Sequence, residues 1–100
     1  MDSPLISILI PIRNEIANIK RCLDAVLAQD YPTDHLEILI ADGMSEDGTR
    51  EIISKFQKVH PKLEVFDNPK KIVPTALNIL IPKAKGEILI RVDGHCVIAS

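Results

Sequence analysis

Three short polar clusters carry the residue types in this sequence that can do chemistry. Asp93-Gly94-His95 sets a carboxylate and an imidazole two positions apart. In an extended chain residues i and i+2 face the same way, so both side chains can reach one ligand or one divalent cation. A cation held there neutralises a diphosphate. Asp42-Gly43-Met44-Ser45-Glu46-Asp47-Gly48-Thr49 is rich in carboxylates and hydroxyls. A carboxylate at a strand end accepts hydrogen bonds from a base imide or a ribose hydroxyl. Asp42, read as the first residue past the apolar run before it, is the foremost candidate. Ser45, Asp47 and Thr49 have a plainer reading as caps for the free amides of the following helix. Pro11-Ile12-Arg13-Asn14-Glu15 is the third cluster. Asn14 is placed to cap a helix starting near Ile16, with Glu15 favourable at its positive end.

Strands and helices must alternate to position these clusters. Leu5 to Ile10 is a compact apolar run between Pro4 and Pro11, which predicts a strand buried on both faces. Ile16, Ile19, Leu23, Val26 and Leu27 recur at helical spacing. Leu36 to Ala41 reads as a second strand. Ile52, Ile53, Phe56 and Val59 mark a second helix ending near His60-Pro61. Leu63 to Phe66 is a third strand. Pro74 suits the first turn of a third helix with Ala76, Leu77, Leu80 and Ile81 on its apolar face. Pro82 must kink or end that helix, because it cannot bond to the Asn78 carbonyl. Glu87 to Val92 is a fourth strand. A βαβαβαβ pattern predicts a parallel sheet of order 3-2-1-4. Ligands of such sheets bind beyond the carboxyl ends of the strands at the switch point, where all three clusters fall.

Composition narrows the function classes. One hundred residues make one domain at most. Twelve Lys and Arg against fourteen Asp and Glu leave a net charge of −2, which argues against a nucleic-acid binder. The aromatic residues are Tyr31, Phe56 and Phe66 alone, too few for base-stacking platforms. Cys22 and Cys96 lie far apart without metal-ligand spacing, which suits a reduced, cytoplasmic setting. No apolar run reaches the roughly 20 residues of a membrane helix, and the Leu5–Ile12 stretch lacks the basic flank of a signal peptide. Neither a P-loop nor a G-x-G-x-x-G motif is present.

Taken together the motifs resemble those of family 2 glycosyltransferases. Pro11 to Glu15 is similar to the family's P-x-x-N-E opening, and Asp42 to Thr49 to its D-G-S-S-D-x-T loop. Ala76-Leu77-Asn78 followed by Ala84-Lys85-Gly86-Glu87 resembles the A-x-N…A-x-G-E segment. Asp93-Gly94-His95 stands where the family carries D-x-D, with His95 in place of the second Asp. The likeness runs from about Ser7 to His95, and Arg91 to His95 looks most like the exopolysaccharide (succinoglycan-type) branch.

The resemblance implies an α/β fold of the GT-A kind: a Rossmann-like three-layer α/β/α arrangement, here truncated, that binds a nucleotide-diphosphate sugar. It implies that Pro11, Asn14 and Glu15 line the nucleotide pocket, that Asp42 pairs with the base, and that Asp93 contacts the ribose or a cation's water. Asp93 and His95 would hold a divalent cation, Mn²⁺ or Mg²⁺, and imidazole suits Mn²⁺ better. In the family the acceptor-binding half and the general base follow the D-x-D region. Residues 1–100 therefore read as an incomplete N-terminal nucleotide-sugar-binding part, with the base expected beyond Ser100. The implied reaction is inverting transfer from a donor, expected to be a UDP-sugar, to a saccharide or lipid-linked acceptor in polysaccharide biosynthesis. The full-length protein would act in the cytoplasm or at the cytoplasmic face of the membrane. A nucleotidyltransferase shares the sheet but opens with a glycine-rich loop after its first strand. A non-catalytic nucleotide-binding module is the other alternative. A sheet lacking its second half presents an unpaired edge and apolar surface, so self-association is expected.

Overall fold

Among the described residues, seven regular elements and two single 3₁₀ turns follow the order of the apolar runs. The computed structural model describes residues 4–28 and 31–92. The strands are β1 (Ile6–Ile12), β2 (Leu36–Asp42), β3 (Leu63–Asp67) and β4 (Ile88–Arg91). The helices are α1 (Ile19–Leu27), α2 (Thr49–Val59) and α3 (Val73–Leu80), with 3₁₀ turns at Thr33–His35 and Ile81–Lys83. The sheet runs β3-β2-β1-β4 and every pairing is parallel, as the alternation requires.

Period-2 alternation along β1 and β2 divides the core into two layers. Ile8, Ile10, Ile12, Ile38 and Ile40 face α1 and α2, where they meet Ile19, Leu23, Val26 and Ile53. Leu9, Leu39 and Ala41 point the other way and pack against Ala76 and Leu80 of α3. Both faces of β1 and β2 are thus covered, which is why these strands read as unbroken apolar runs.

Several boundaries differ from the sequence expectation. β1 continues through Pro11 and Ile12. The described pairing of β1 with β4 runs from Ile6–Ile88 to Leu9–Arg91. Asp42 is the last residue of β2, paired with Ile12 and Asp67, not the first residue of a loop. α1 starts at Ile19 behind Asn18, and Ile16 is 45% exposed. Val59 and Ile81, assigned to apolar helix faces, are 69% and 50% exposed. Pro74 does occupy the first turn of α3. Pro82 sits in the 3₁₀ turn that ends α3, where the Ala84 N–H donates to both Leu80 O (3.1 Å) and Ile81 O (3.2 Å). The ring's missing donor is therefore absorbed by a tighter turn and not by a kink.

The amino end of the sheet is fastened by a buried polar knot. Ser7 and Glu37 are register partners on β1 and β2, and the Ser7 hydroxyl donates to Glu37 Oε2 at 2.5 Å. The Lys85 N–H donates to the same Glu37 oxygen at 2.6 Å, and the Gly86 N–H to Ser7 Oγ at 2.8 Å. The connection entering β4 is thereby tied to both central strands.

Candidate functional site

The loops after β1 and β2 interlock residue by residue. The Asn14 N–H donates to Ser45 Oγ (2.8 Å), and Asn14 Oδ1 accepts the Glu46 N–H (2.8 Å). The Glu15 N–H donates to Thr49 Oγ1 (3.0 Å) and the Ile16 N–H to Asp47 Oδ2 (3.1 Å). Arg13 Nε donates to the Gly43 carbonyl at 3.0 Å. Asn14 adopts φ 52° and Met44 φ 60°, left-handed conformations in which L-residues are held at some cost. Lys71, in the loop after β3, adopts φ 66°, and its Cα lies 3.2 Å from where a Cβ on Gly43 would stand. Gly43 lets these three loops close together.

Asn14 thus does not cap α1. Its side chain is used 32 residues away, on the amide of Glu46, and α1 starts five residues later, at Ile19, with no side-chain cap. Ser45, Asp47 and Thr49 are half cap and half clasp. Asp47 Oδ1 accepts the Thr49 N–H (3.1 Å) and hydroxyl (2.5 Å) at the start of α2, while its other oxygen reaches Ile16 in the opposite loop.

Asp47 is held below the usual carboxylate range, first by the Thr49 hydroxyl and, against some desolvation, by the Ile16 and Thr49 amides. Its folded form binds protons less readily than the unfolded chain, so the clasp is fully present at neutral pH. It is lost as pH falls below the usual carboxylate range. Amide exchange at Ile16 and Thr49 should accelerate on that acid limb ahead of exchange in the β1–β2 core. Simultaneous loss of protection in both places would contradict a local clasp.

Behind the loops lies a three-membered ionic cluster. Asp42 is fully buried. Its Oδ1 accepts the Ser45 hydroxyl, and its Oδ2 accepts the Ser45 N–H (3.2 Å) and Arg50 Nη1 (3.1 Å). The same Arg50 nitrogen donates to Asp67 Oδ1 at 2.7 Å. The pair with Asp67, then the pair with Asp42, raise the Arg50 pKa against its desolvation, so the guanidinium is firmly charged. The Asn68 N–H donates to the Asp42 carbonyl (2.8 Å), and the Asn68 side chain orders the entry to α3 through Ile72 O and Thr75 Oγ1.

Of the residues singled out from sequence, Pro11, Asn14, Glu15 and Asp42 stand together at the carboxyl ends of β1 and β2. Pro11 is buried, Glu15 half-buried and Asn14 exposed. Asp93 and His95 lie outside the described residues. Among the described residues no three His, Cys, Asp or Glu side chains converge as a metal site would need. The pair expected from the sequence to hold a divalent cation, Asp93 and His95, offers a carboxylate and an imidazole, a donor set whose chemistry suits Mn²⁺. Sequence reading missed Arg50, Asp67 and Asn68. Arg50 did leave a signal: a cation in the first turn of a helix opposes the helix dipole, a local conflict that asks for a nearby anion.

The parallel β3-β2-β1-β4 sheet, with helices on both faces and acidic and amide-bearing loops joined beyond β1 and β2, is an α/β fold of the GT-A kind. The family model described as glycosyl transferase family 2 matches residues 7–100, and the chain belongs to that family. It is 38% identical over 94 residues to glycosyltransferase AglE of Haloferax volcanii, covering 93% of this chain and 31% of that protein. It is 36% identical over 90 residues to succinoglycan biosynthesis protein ExoA of Rhizobium meliloti, covering 88% and 27%. Among solved structures, mannosyltransferase PcManGT from Pyrobaculum calidifontis in complex with GDP-Man and Mn²⁺ superposes with a TM-score of 0.84. That match has 32% identity and covers 92% of this chain and 28% of the other. S. aureus TarS 1–349 in complex with UDP-GlcNAc shares the fold at a TM-score of 0.81 and 24% identity. The chain spans about three tenths of the length of these curated relatives.

Proposed function

We propose that residues 1–100 are the donor-binding part of a glycosyltransferase that moves a sugar from a nucleotide diphosphate to a saccharide or lipid-linked acceptor, with inversion. The observation that carries this reading is the interlocked loop pair at the switch point, which gathers Pro11, Asn14, Glu15 and Asp42 in a domain of family 2. Pro11, Asn14 and Glu15 line the nucleotide pocket, and Asp42 accepts a ring N–H of the base. Asp93 contacts the ribose. Asp93 and His95 hold a divalent cation, which when bound offsets the charge of the departing diphosphate. The general base that takes the acceptor's proton is placed beyond Ser100. The GDP-Man and Mn²⁺ in the PcManGT complex support a nucleotide sugar and a divalent cation as ligands. We take the donor to be a UDP-sugar. Likeness to ExoA supports the exopolysaccharide branch, and likeness to AglE supports the broader class of glycan-building enzymes. No described helix is long and apolar enough to cross a membrane, and a cytoplasmic site of action fits the nucleotide-sugar donor.

Calorimetric titration of the protein with UDP, GDP, CDP and ADP, with Mn²⁺ or with a chelator, tests this reading. Binding of no nucleotide under either condition would remove it. Mn²⁺ should tighten UDP binding, and His95→Ala should abolish most of that gain while leaving chelator-condition binding nearly intact. An equal Mn²⁺ effect in both proteins would strike His95 from the ligand set. The 100-residue chain should also self-associate. In the described sheet β4 is an edge strand whose Ile88, Leu89 and Ile90 are 45%, 43% and 40% exposed. A monodisperse monomer by light scattering at high concentration would contradict this.

A further inference from the structure

Asp42 and Asp67 are register partners at the ends of adjacent strands, so two carboxylates stand side by side. Like charges so placed repel, and the Asp42 carboxylate has no solvent to screen it. Arg50 is the cation between them, at 3.1 Å from Asp42 and 2.7 Å from Asp67. Its grip falls on Oδ2 of Asp42, which also holds the Ser45 N–H. Oδ1 carries only the Ser45 hydroxyl, a rotatable donor that a ligand N–H can replace.

We propose that Arg50 is a positioning residue for nucleotide selection, presenting Asp42 Oδ1 as a charged, acceptor-only group that takes bases with a ring N–H beside a carbonyl and rejects those with a bare ring nitrogen. This rests on the proposed nucleotide-binding function. Uracil and guanine offer such an N–H, whereas cytosine and adenine offer a lone pair at the corresponding position. An ionised carboxylate has no proton to give that lone pair, but a protonated one does. Arg50 therefore sets which carboxylate oxygen is left to meet the base, and a cation bonded to a carboxylate favours its charged, acceptor-only form. The other charged groups around the cluster are Asp67 on β3, Asp47 and Arg13 in the two interlocked loops, Glu15 beside Thr49, and Lys71 across Gly43. Arg50 is the one that bonds to both strand-end carboxylates.

The test compares UDP and CDP affinities of the wild type, Arg50→Met and Arg50→Lys from about pH 8 down to about pH 5, a range in which a buried carboxylate without a counter-cation takes up its proton. The wild type should prefer UDP throughout, by about tenfold or more, the worth of one charge-assisted hydrogen bond. In Arg50→Met that preference should collapse as pH falls, with CDP binding rising while UDP binding drops. Arg50→Lys should restore a flat profile. A merely structural Arg50 would lower both affinities by one factor at every pH, and that result overturns the proposal, as does an unchanged ratio. A wild type that binds neither nucleotide would sink the nucleotide-binding reading itself. Arg50's role is then read on the nucleotide-free proteins by hydrogen exchange. The Ser45 amide, which donates to the same Asp42 oxygen as Arg50, gives a second readout: its protection should fall with pH in Arg50→Met and hold in the wild type and Arg50→Lys, and equal protection in all three refutes the proposal.

Discussion

Replacing Asp42 with asparagine should weaken UDP binding by about 1.5–3 kcal/mol, roughly tenfold to more than a hundredfold, with the fold retained. The cluster around Asp42 dictates how the new amide must sit. Arg50 Nη1 and the Ser45 N–H both donate to the Oδ2 position. The asparagine carbonyl must take that side, because an NH₂ there would face two donors. Its NH₂ is then left at the Oδ1 position, where it can donate to Ser45 Oγ. A uracil N–H arriving at that position meets another N–H, and a charge-assisted bond is exchanged for a repulsion. A cytosine ring nitrogen meets a donor there, so CDP should lose far less than UDP or gain. Asparagine has the shape of aspartate, so the buried volume is unchanged and circular dichroism should overlay the wild type. Calorimetric titration with both nucleotides decides the matter. UDP affinity equal to that of the wild type would take Asp42 out of the base pocket.

The strands and their order were legible in the residues because burial on both faces leaves an unbroken apolar run, and β1 and β2 have that character along almost their full length. Helix starts were less legible. A polar side chain ahead of a helix caps it only if no better partner is near, and Asn14 found the Glu46 amide 32 positions along the chain. That partner exists only once β1 and β2 are adjacent, so no local window of sequence contains it. The same holds for Asp67, an ordinary strand-end residue until the sheet sets it beside Asp42. Pro11, Asn14, Glu15 and Asp42 could be named from the resemblance and from strand-end logic. The hydrogen bonds that hold their loops together, through Ser45, Asp47, Thr49 and Arg50, are a property of the folded pair of loops.

Gly86 shows how a residue that reads as mere punctuation in a sequence can carry a large share of stability. A Cβ on Gly86 would stand 2.6 Å from Ser7 Oγ, 2.7 Å from the Ser7 nitrogen and 2.8 Å from the Leu5 carbonyl oxygen. Two of these three atoms are backbone, the Ser7 nitrogen in β1 and the Leu5 oxygen just ahead of it, and β1 is held by β2 on one side and β4 on the other. β1 cannot retreat, so in Gly86→Ala the connection into β4 must move. Moving it stretches Gly86 N–H to Ser7 Oγ (2.8 Å), Lys85 N–H to Glu37 Oε2 (2.6 Å) and Glu87 N–H to Leu5 O (2.9 Å) together. Overpacking costs about 1–3 kcal/mol, and each buried polar group left without its partner adds about 1–3 kcal/mol. Gly86→Ala should therefore destabilise the domain by about 3 kcal/mol or more, out of roughly 5–15 kcal/mol for a whole domain. Gly43→Ala is the contrast. Its Cβ would lie 3.2 Å from Arg13 Cβ and Lys71 Cα, in loops at the site and not against a central strand. Those loops can give by a few tenths of an ångström, so Gly43→Ala should cost less in stability and more in nucleotide affinity. Urea unfolding of the two variants separates these effects. A Gly86→Ala midpoint at the wild-type value would mean that β1 yields after all, and that the Ser7–Glu37 knot does not fix the entry to β4.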